Sequence, residues 1–574
     1  MFVSYEQIKE NSWQSFERLI CRLVLAEGFS GARVVGQSND HGADIIANRN
    51  GVRWLFQAKH WKKPVGVSVI DETLRAAQVY NAKVPVIVAS NGFDAKALEH
   101  QRTLLANGIN IQLWDVDVLI AHANRLGDGI PNKYPAREYQ EKAIQGILNA
   151  YINNKNRALA VLATGMGKTF VAAETMHRLF SIKPSARILV LAHTNPLVYQ
   201  LEQSFWKFMN RDQISVVWNG YETPSDYQLR NATYVFACVN TVSDYILKND
   251  DFPEFDVIIV DECHHAGSSM YNTVFARTNA GGYNGPFLLG LTATPWRPDE
   301  VELEDIFGET VVCIDMVEGL KKGFLSNVDY RMYTDNIDWD ALANLQGKTF
   351  TPKQINRTLF IEQWDDSVVY ELKKVWNEQP HPRAIVFCGT IDHANIMCTK
   401  LNALGFCNAA AIYSNSGAGY SMSQFEKNRI LSDFADGIVN VVCTVDIFNE
   451  GIDVPDVNIL VFQRVTHSRR IFIQQLGRGL RISENKDKVI VLDFVSDIRR
   501  FAAGIELKDG LEKGDRQPTR ISIPNKVTFK KVTGEDPGTE KFLRIWLDDI
   551  AAIEASGENS SVLKFPPVLP NSKV

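Results

Sequence analysis

The sequence predicts an α/β protein in which a compact α/β unit precedes two tandem parallel sheets wrapped by helices. Three observations predict it. Residues 13–27 carry apolar side chains at helical spacing up to a stop at Gly28, and short strand-like runs follow, WLFQAK at 54–59 and VPVIVAS at 84–90. Further along, apolar runs alternate with helical stretches: LAVLA at 159–163, ARILVLA at 186–192, ATYVFACV at 232–239, FDVIIVDE at 255–262 and PFLLGLTATP at 286–295. A second such series comprises RAIVFC at 383–388, IVNVVCT at 438–444, VNILVFQ at 457–463 and DKVIVLDF at 487–494. Strands that are apolar throughout, separated by helices, are buried on both faces, which is the signature of a parallel sheet covered by helices.

In chain order, 13–123 reads helix, strand, strand, helix, strand, helix, strand, and 1–123 forms the first unit. The stretch NRLGDGIPNKYP at 124–135 gathers Gly, Pro and Asn and reads as a linker. The first parallel-sheet domain is expected over 136–314 and the second over 315–500. Within the latter, about 315–379 is polar and helix-leaning, an excursion of that domain. Residues 501–574 form an extension whose tail, after about 556, is rich in Ser, Pro and Asn and expected to be disordered. No short-period repeat is present.

The 574 residues, 45% hydrophobic and 22% charged, exclude wholesale disorder and fibrous repeats. At roughly 150 residues per domain the length suggests about three or four domains. With 61 Lys and Arg against 67 Asp and Glu the net charge is −6, so a nucleic-acid site has to be a local basic groove. The eight cysteines contain no Cys-x-x-Cys pair, which fits reduced thiols in a cytoplasmic protein. The start lacks a basic segment followed by an apolar run. No stretch approaches the roughly 18 apolar residues of a membrane span, so secretion and membrane insertion are not expected.

The segment LATGMGKT at 162–169 follows a strand and opens a helix. Gly165 and Gly167, with Thr164 and Met166 between strand and helix, let backbone N–H groups close around phosphate oxygens. Lys168 reaches the β and γ phosphates, and Thr169 holds Mg²⁺. The usual first glycine of such a loop is Leu162 here. At VIIVDECHH, four apolar residues end in Asp261 and Glu262, at the carboxyl edge of a buried strand where open α/β sheets bind ligands. Asp261 is placed to share the Mg²⁺ with Thr169, and Glu262 to polarise the attacking water. His264 and His265 beside these acids raise a zinc site as the alternative, but the His-x-x-x-His spacing of zinc proteases is absent.

Over about 135–500 the chain resembles the superfamily-two helicases and translocases, with motifs in that family's order. These are AREYQ with Gln140, LATGMGKT, LAHTNPLVYQ from Leu191, VNT at 239–241, DECH at 261–264, TAT at 292–294, FC at 387–388, TVDIFNEGIDVP at 444–455 and QQLGRGLR at 474–481. The wording is most similar to the motor subunits of type I restriction enzymes. The resemblance implies that Gln140 recognises adenine and that Lys168, Thr169, Asp261 and Glu262 run ATP hydrolysis. It further implies that Thr292 and Thr294 couple nucleotide state to the strand, that Gly451 and Asp453 complete the site from the second domain, and that Arg478 and Arg481 are arginine fingers. A guanidinium supplies the positive charge that γ-phosphoryl transfer needs. The closely spaced Gly477 and Gly479 suggest close backbone approach to a ligand rather than a surface arginine pair.

In the first unit, Asp44 begins a strand, and Gln57 and Lys59 share one face of the next, with Ala58 on the other. An acid, a neutral oxygen and a lysine on adjacent strands suit a Mg²⁺ ion that steers water onto phosphate. Over about 12–122 this resembles the PD-(D/E)xK nucleases of the Mrr-like restriction type, with FERL at 16–19, DHGAD at 40–44, QAK at 57–59 and SNGFDAKA at 90–97. By that resemblance Asp44 and Gln57 are metal ligands, Lys59 is catalytic and Glu17 assists. Gln57 stands where many such nucleases carry Glu, which lowers the expected metal affinity, although the Mrr-like branch commonly uses Gln. His60, Trp61, Lys62 and Lys63 either line a phosphate path or form a solvated turn.

The expectation is an ATP- and Mg²⁺-dependent DNA helicase or translocase fused to a Mg²⁺-dependent endonuclease, in prokaryotic restriction or anti-phage defence. Its partners would be double- or single-stranded DNA and further defence subunits, and no membrane. The alternatives are a DNA-remodelling ATPase whose first unit only binds DNA, and a motor that tracks RNA.

Overall fold

A computed structural model of the protein describes residues 1–35, 42–127, 135–293, 303–314, 318–319, 322–333, 349–350, 365–413, 422–445, 456–463, 479–482, 486, 488–494, 527–530 and 563–564.

The amino-terminal unit contains α1 (Tyr5–Glu10), α2 (Trp13–Ala26), β1 (Ser30–Val34), β2 (Ile45–Arg49), β3 (Val52–Lys59), α3 (Val67–Val79), β4 (Val84–Ala89), α4 (Ala95–Ala106), β5 (Gln112–Trp114) and α5 (Val116–Arg125). The strands lie side by side in chain order. β1, β2 and β3 pair antiparallel, and β4 and β5 continue in parallel. The Ser12 side chain caps α2, and Gly28 at φ +90° turns the chain into β1. The expected order omitted α1, α5 and one strand, and the first two linker residues, Asn124 and Arg125, belong to α5. Most of that linker, 128–134, lies outside the described residues.

The first parallel sheet follows α6 (Glu138–Ile152). Its elements are β6 (Arg157–Leu162), α7 (Lys168–Ile182), β7 (Ile188–Ala192), α8 (Asn195–Phe205), β8 (Ser215–Trp218), α9 (Asp226–Asn231), β9 (Tyr234–Cys238), α10 (Val239–Ile246), β10 (Val257–Val260), α11 (Ser269–Thr278), β11 (Phe287–Thr292), α12 (Leu303–Phe307) and β12 (Thr310–Ile314). The order β12-β6-β11-β10-β7-β9-β8 is parallel throughout and places the phosphate-loop strand β6 two strands from β10. The central strands are buried along their length, as their uninterrupted apolar runs require.

The second parallel sheet uses β13 (Asn327–Tyr333), β15 (Ala384–Phe387), β16 (Ala409–Tyr413), β17 (Val441–Val445), β18 (Ile459–Phe462), β19 (Lys488–Phe494) and β20 (Val527–Lys530), in the order β16-β17-β15-β18-β19-β13-β20. α13 (Asp365–Trp376), α14 (Ile391–Ala403) and α15 (Gln424–Ala435) accompany it. α13 agrees with the helix-leaning reading of 315–379 at 365–376, whereas β13 corrects it at 327–333, a sheet strand paired with β19 over its whole length. Its polar residues hid it: Arg331 is buried in a bidentate pair with Glu378 and also bonds Asp329. β14 (Thr349–Phe350) pairs with β21 (Leu563–Lys564), so two residues of the expected disordered tail form strand, and the rest of that tail lies outside the described residues. All eight cysteines are free thiols, and all but Cys313 are buried. Among the described residues no helix is long and apolar enough to cross a membrane.

The amino-terminal unit docks on the first sheet domain through buried polar contacts. Arg18 on α2 pairs with Glu202 at 2.7 Å and with Glu222 at 2.5 Å, and Arg22 donates to the carbonyls of Gln213 and Asn210 at 2.9 and 3.0 Å. Toward the second sheet domain, Arg33 meets Ser432 and Arg53 pairs with Asp436.

Candidate functional site

Parallel strands bring their carboxyl ends to one edge, and four neighbouring strands deliver the motor residues there. β6 leads into the phosphate loop, β7 into His193, β10 into Asp261 and Glu262, and β11 ends on Thr292. Gly165 and Gly167 have φ of +90° and +84°, the left-handed region that glycine enters without strain, and Gly167 caps the 15-residue helix α7. Backbone N–H groups at that helix start, with the helix dipole behind them, favour an anion. Thr164, Lys168 and Thr169 are half-buried and Met166 is buried.

Lys168 Nζ lies 3.3 Å from Glu262 Oε1, and Glu262 Oε2 lies 3.3 Å from His264 Nδ1. Glu262 itself sits at φ +48°, an unusual conformation for a non-glycine residue that turns its carboxylate back over the loop. Burial pushes the Asp261 carboxyl up, and the neighbouring Glu262 charge pushes it further, with Lys168 opposing. Burial acts on Glu262 the same way, but Lys168 and His264 outweigh it and hold this carboxyl below its ordinary value. The two adjacent acids are thus driven apart, one poised to take a cation in exchange for a proton and one held ionised. Asp261 Oδ1 is buried without a hydrogen-bond partner among the described residues, as is Thr164 Oγ1. Orphaned oxygens beside an ammonium group and a helix start fit a divalent cation and a phosphate chain.

The structure adds contacts among motif residues and their neighbours that no motif specifies. The Gln140 side-chain amide accepts from Arg137 N–H at 3.0 Å and donates to the Met166 carbonyl at 3.0 Å, and the Tyr139 hydroxyl donates to the same carbonyl at 3.0 Å. Gln140 therefore braces the phosphate loop from below, a role beyond the adenine contact that resemblance implied. Phe324, between the two sheet domains, packs on Tyr139 with ring centroids 4.4 Å apart. His264 Nδ1 lies 3.2 Å from Thr292 Oγ1, joining the ends of β10 and β11. His193 and His265 stack at 4.2 Å. Among the described residues no group of three or more His, Cys, Asp and Glu is placed to hold a metal, so the zinc alternative gains no support.

Thr294 of the first sheet domain, and Gly451, Asp453 and Arg478 of the second, lie outside the described residues. Arg481 is described, and its carbonyl accepts from the Ser326 hydroxyl at 3.0 Å. Gly479 is corrected: a Cβ there would meet Leu460 at 2.9 Å and Val489 at 3.3 Å, so the missing side chain serves packing against β18 and β19 rather than approach to a ligand. Lys486, buried, donates to the Gly479 carbonyl at 2.8 Å and the Val457 carbonyl at 3.3 Å, tying this segment down.

In the amino-terminal unit, Asp44 precedes β2 and Gln57 and Lys59 lie on β3. Asp44 N–H donates to the Phe56 carbonyl at 3.0 Å, and Asp44 Oδ2 accepts from Ala58 N–H at 2.6 Å, so the aspartate brackets Gln57. Asp44 and Gln57 are both buried, and Glu17 is buried on α2. Phe16 beside it stacks on His60 at 5.3 Å, which sets the first turn of α2 against the end of β3. Lys59 Nζ sits 5.5 Å over the Trp61 ring. Gln57 Nε2 is buried with no partner among the described residues, so this centre also holds an unsatisfied polar atom.

Three families match the chain: the restriction endonuclease family Mrr_cat over 8–122, the type III restriction enzyme res-subunit family ResIII over 133–297, and the helicase conserved C-terminal domain over 366–483. The type I restriction enzyme EcoAI endonuclease subunit of Escherichia coli is 29% identical over 540 residues, which are 86% of this chain and 64% of that subunit. The chain thus spans under two thirds of that relative. The DNA 3'-5' translocase XPB2 of Sulfurisphaera tokodaii is 26% identical over 398 residues, covering 63% of this chain and 82% of the translocase. The solved structure of the ATP-dependent Type ISP restriction-modification enzyme LlaBIII bound to DNA shares the fold, with a TM-score of 0.52 at 17% identity over 95% of this chain and 42% of that one.

Proposed function

We propose, for a chain that joins an Mrr-type restriction endonuclease domain to the two helicase domains of superfamily two and is homologous to type I restriction enzyme subunits, that ATP hydrolysis drives movement along DNA and that the first domain cuts it. The setting is prokaryotic restriction or anti-phage defence, with further defence subunits as partners. The observation that carries the reading is the meeting of Lys168, Asp261 and Glu262 at one sheet edge, with Asp44 and Gln57 in a separate domain docked on the same motor lobe.

ATP would supply the phosphoanhydride to be split, and a divalent cation held by Thr169 and Asp261 would neutralise charge on its phosphates. Around them, Gly165 and Gly167 leave backbone N–H groups facing the phosphates, and Lys168 adds a cation. Thr169 and Asp261 would offer oxygens to the metal, and Glu262, held ionised, would orient the attacking water. By the resemblance, Arg478 and Arg481 would supply positive charge to the γ-phosphate from the second sheet domain, so hydrolysis would require closure of the two domains. In the nuclease domain Asp44 and Gln57 would hold Mg²⁺, Lys59 would stabilise charge on the phosphate and Glu17 would assist.

The test is gel analysis of plasmid, linear, forked and single-stranded DNA, varying ATP and Mg²⁺ separately. DNA-stimulated hydrolysis with metal-dependent cutting supports the proposal. A protein that hydrolyses ATP on DNA but never cuts is a remodelling ATPase with a DNA-binding first domain. Stimulation by RNA alone moves the track to RNA.

A further inference from the structure

The nuclease centre as read from motifs has one weakness: a neutral Gln57 replaces a carboxylate, so a hard cation would find little negative charge on β3. Helix α3 offers what is missing. At Gly42, with φ +86°, an added Cβ would lie 2.8 Å from Glu72 Oε1 and closer still to the terminal amide atom of Gln57. Two side chains from different elements therefore converge on one point of the backbone, two residues before Asp44, and only glycine leaves room for them.

The next residue on α3, Thr73, is fully buried and contacts both the Gln57 amide oxygen and, at 2.7 Å, the Val69 carbonyl. A hydroxyl has one proton and can also accept. With its proton on Gln57, Thr73 holds the amide oxygen, and the amide nitrogen, buried without a partner, lies with Glu72 Oε1 beside Gly42. With its proton on the Val69 carbonyl, Thr73 accepts from the amide nitrogen instead. Gln57 is then turned over, and its oxygen faces the Glu72 carboxylate. Two oxygens facing each other with no proton between them require a cation. Thr73 thus accommodates both orientations of the amide, and the Val69 carbonyl gives the hydroxyl proton somewhere to go in the second.

We infer that Glu72 is a further ligand of the nuclease metal and that Thr73 is a positioning residue that turns the Gln57 amide oxygen toward it. The inference rests on the reading of Asp44 and Gln57 as a metal centre. It makes α3, absent from the motif, the source of the anionic oxygen that Gln57 lacks.

The experiment is calorimetric titration of the full-length, nucleotide-free protein with Mn²⁺, for wild type, Glu72→Gln, Thr73→Val, Thr73→Ser and Asp44→Ala. ATP hydrolysis reports in each case that the motor is folded. Glu72→Gln is expected to weaken Mn²⁺ binding at least tenfold. Thr73→Val is expected to weaken it on the order of 10-fold, as loss of a ligand-orienting partner does, and Thr73→Ser to restore it. Wild-type affinity in Glu72→Gln, with binding lost in Asp44→Ala, overturns the inference and leaves the metal centre standing. Equal loss in Thr73→Ser and Thr73→Val overturns the positioning role. Absence of Mn²⁺ binding in the wild type overturns both the inference and the reading beneath it.

Discussion

Arg18 on the second helix of the nuclease domain and Glu202 on α8 of the motor form an ion pair at 2.7 Å, with both side chains buried. Glu222 adds a second carboxylate to the same guanidinium at 2.5 Å. Glu17, the acid expected to assist the nuclease, precedes Arg18 on the same helix, so that helix carries both a candidate nuclease residue and the contact with the motor. Removing one partner of a buried pair strands the other. Arg18→Ala is expected to destabilise the protein by about 3–5 kcal/mol, measured by denaturant unfolding. The triple replacement Arg18→Met, Glu202→Gln, Glu222→Gln should lose less, because no charge is then left buried and unpaired. Equal losses would contradict this reading.

Glu262 should be needed for turnover and not for nucleotide binding. Glu262→Gln keeps the shape and removes the charge held down by Lys168, so turnover is expected to fall by about 10²-fold or more. Binding of a fluorescent ATP analogue should stay within severalfold of wild type. Full-rate hydrolysis by Glu262→Gln would remove it from the chemistry.

Asp261 gives the nucleotide site its pH dependence. Its carboxyl is raised by burial and by Glu262, so ionising it costs stability in the metal-free protein. That cost is present above the raised value and vanishes as pH falls through the window down to the ordinary value of about 3.9. Asp261→Asn should therefore stabilise the nucleotide-free protein near neutral pH, with the gain shrinking in acid, as melting temperatures at several pH values would report. A gain independent of pH would contradict the assignment.

The contact between His264 and Thr292, at 3.2 Å, links the hydrolysis strand β10 to the end of β11. Thr292→Val keeps volume and removes the partner. ATP hydrolysis should persist while triplex displacement or strand unwinding per ATP falls, and proportional loss of both would argue against coupling through this pair.

Legibility followed burial. Central strands such as β6, β7, β10 and β11 are covered on both faces, so their apolar runs stood out in the sequence. β8, β12 and β16 are sheet edges, short or mixed in character, and went unread. β13 was hidden because Asp329 and Arg331 are satisfied by ion pairs that only the fold creates. Among the site residues, Lys168, Asp261 and Glu262 were legible because loop and strand fix their geometry locally. Tyr139 lies in the AREYQ run, but its bond to the Met166 carbonyl is made only by the fold, as is that of Lys486 to the Val457 carbonyl. Glu72 and Thr73 look like ordinary residues of an amphipathic helix, with no spacing that a sequence could reveal.

The central claim is one chain with two separable chemistries, and the most direct measurement pairs DNA cleavage with ATP hydrolysis in an Asp44→Ala, Lys59→Ala double variant. The two residues lie in the nuclease domain, away from the sheet edge that carries Lys168 and Glu262. DNA-stimulated ATP hydrolysis is expected at close to the wild-type rate, with no metal-dependent cutting. Cutting that survives in the purified double variant would contradict it.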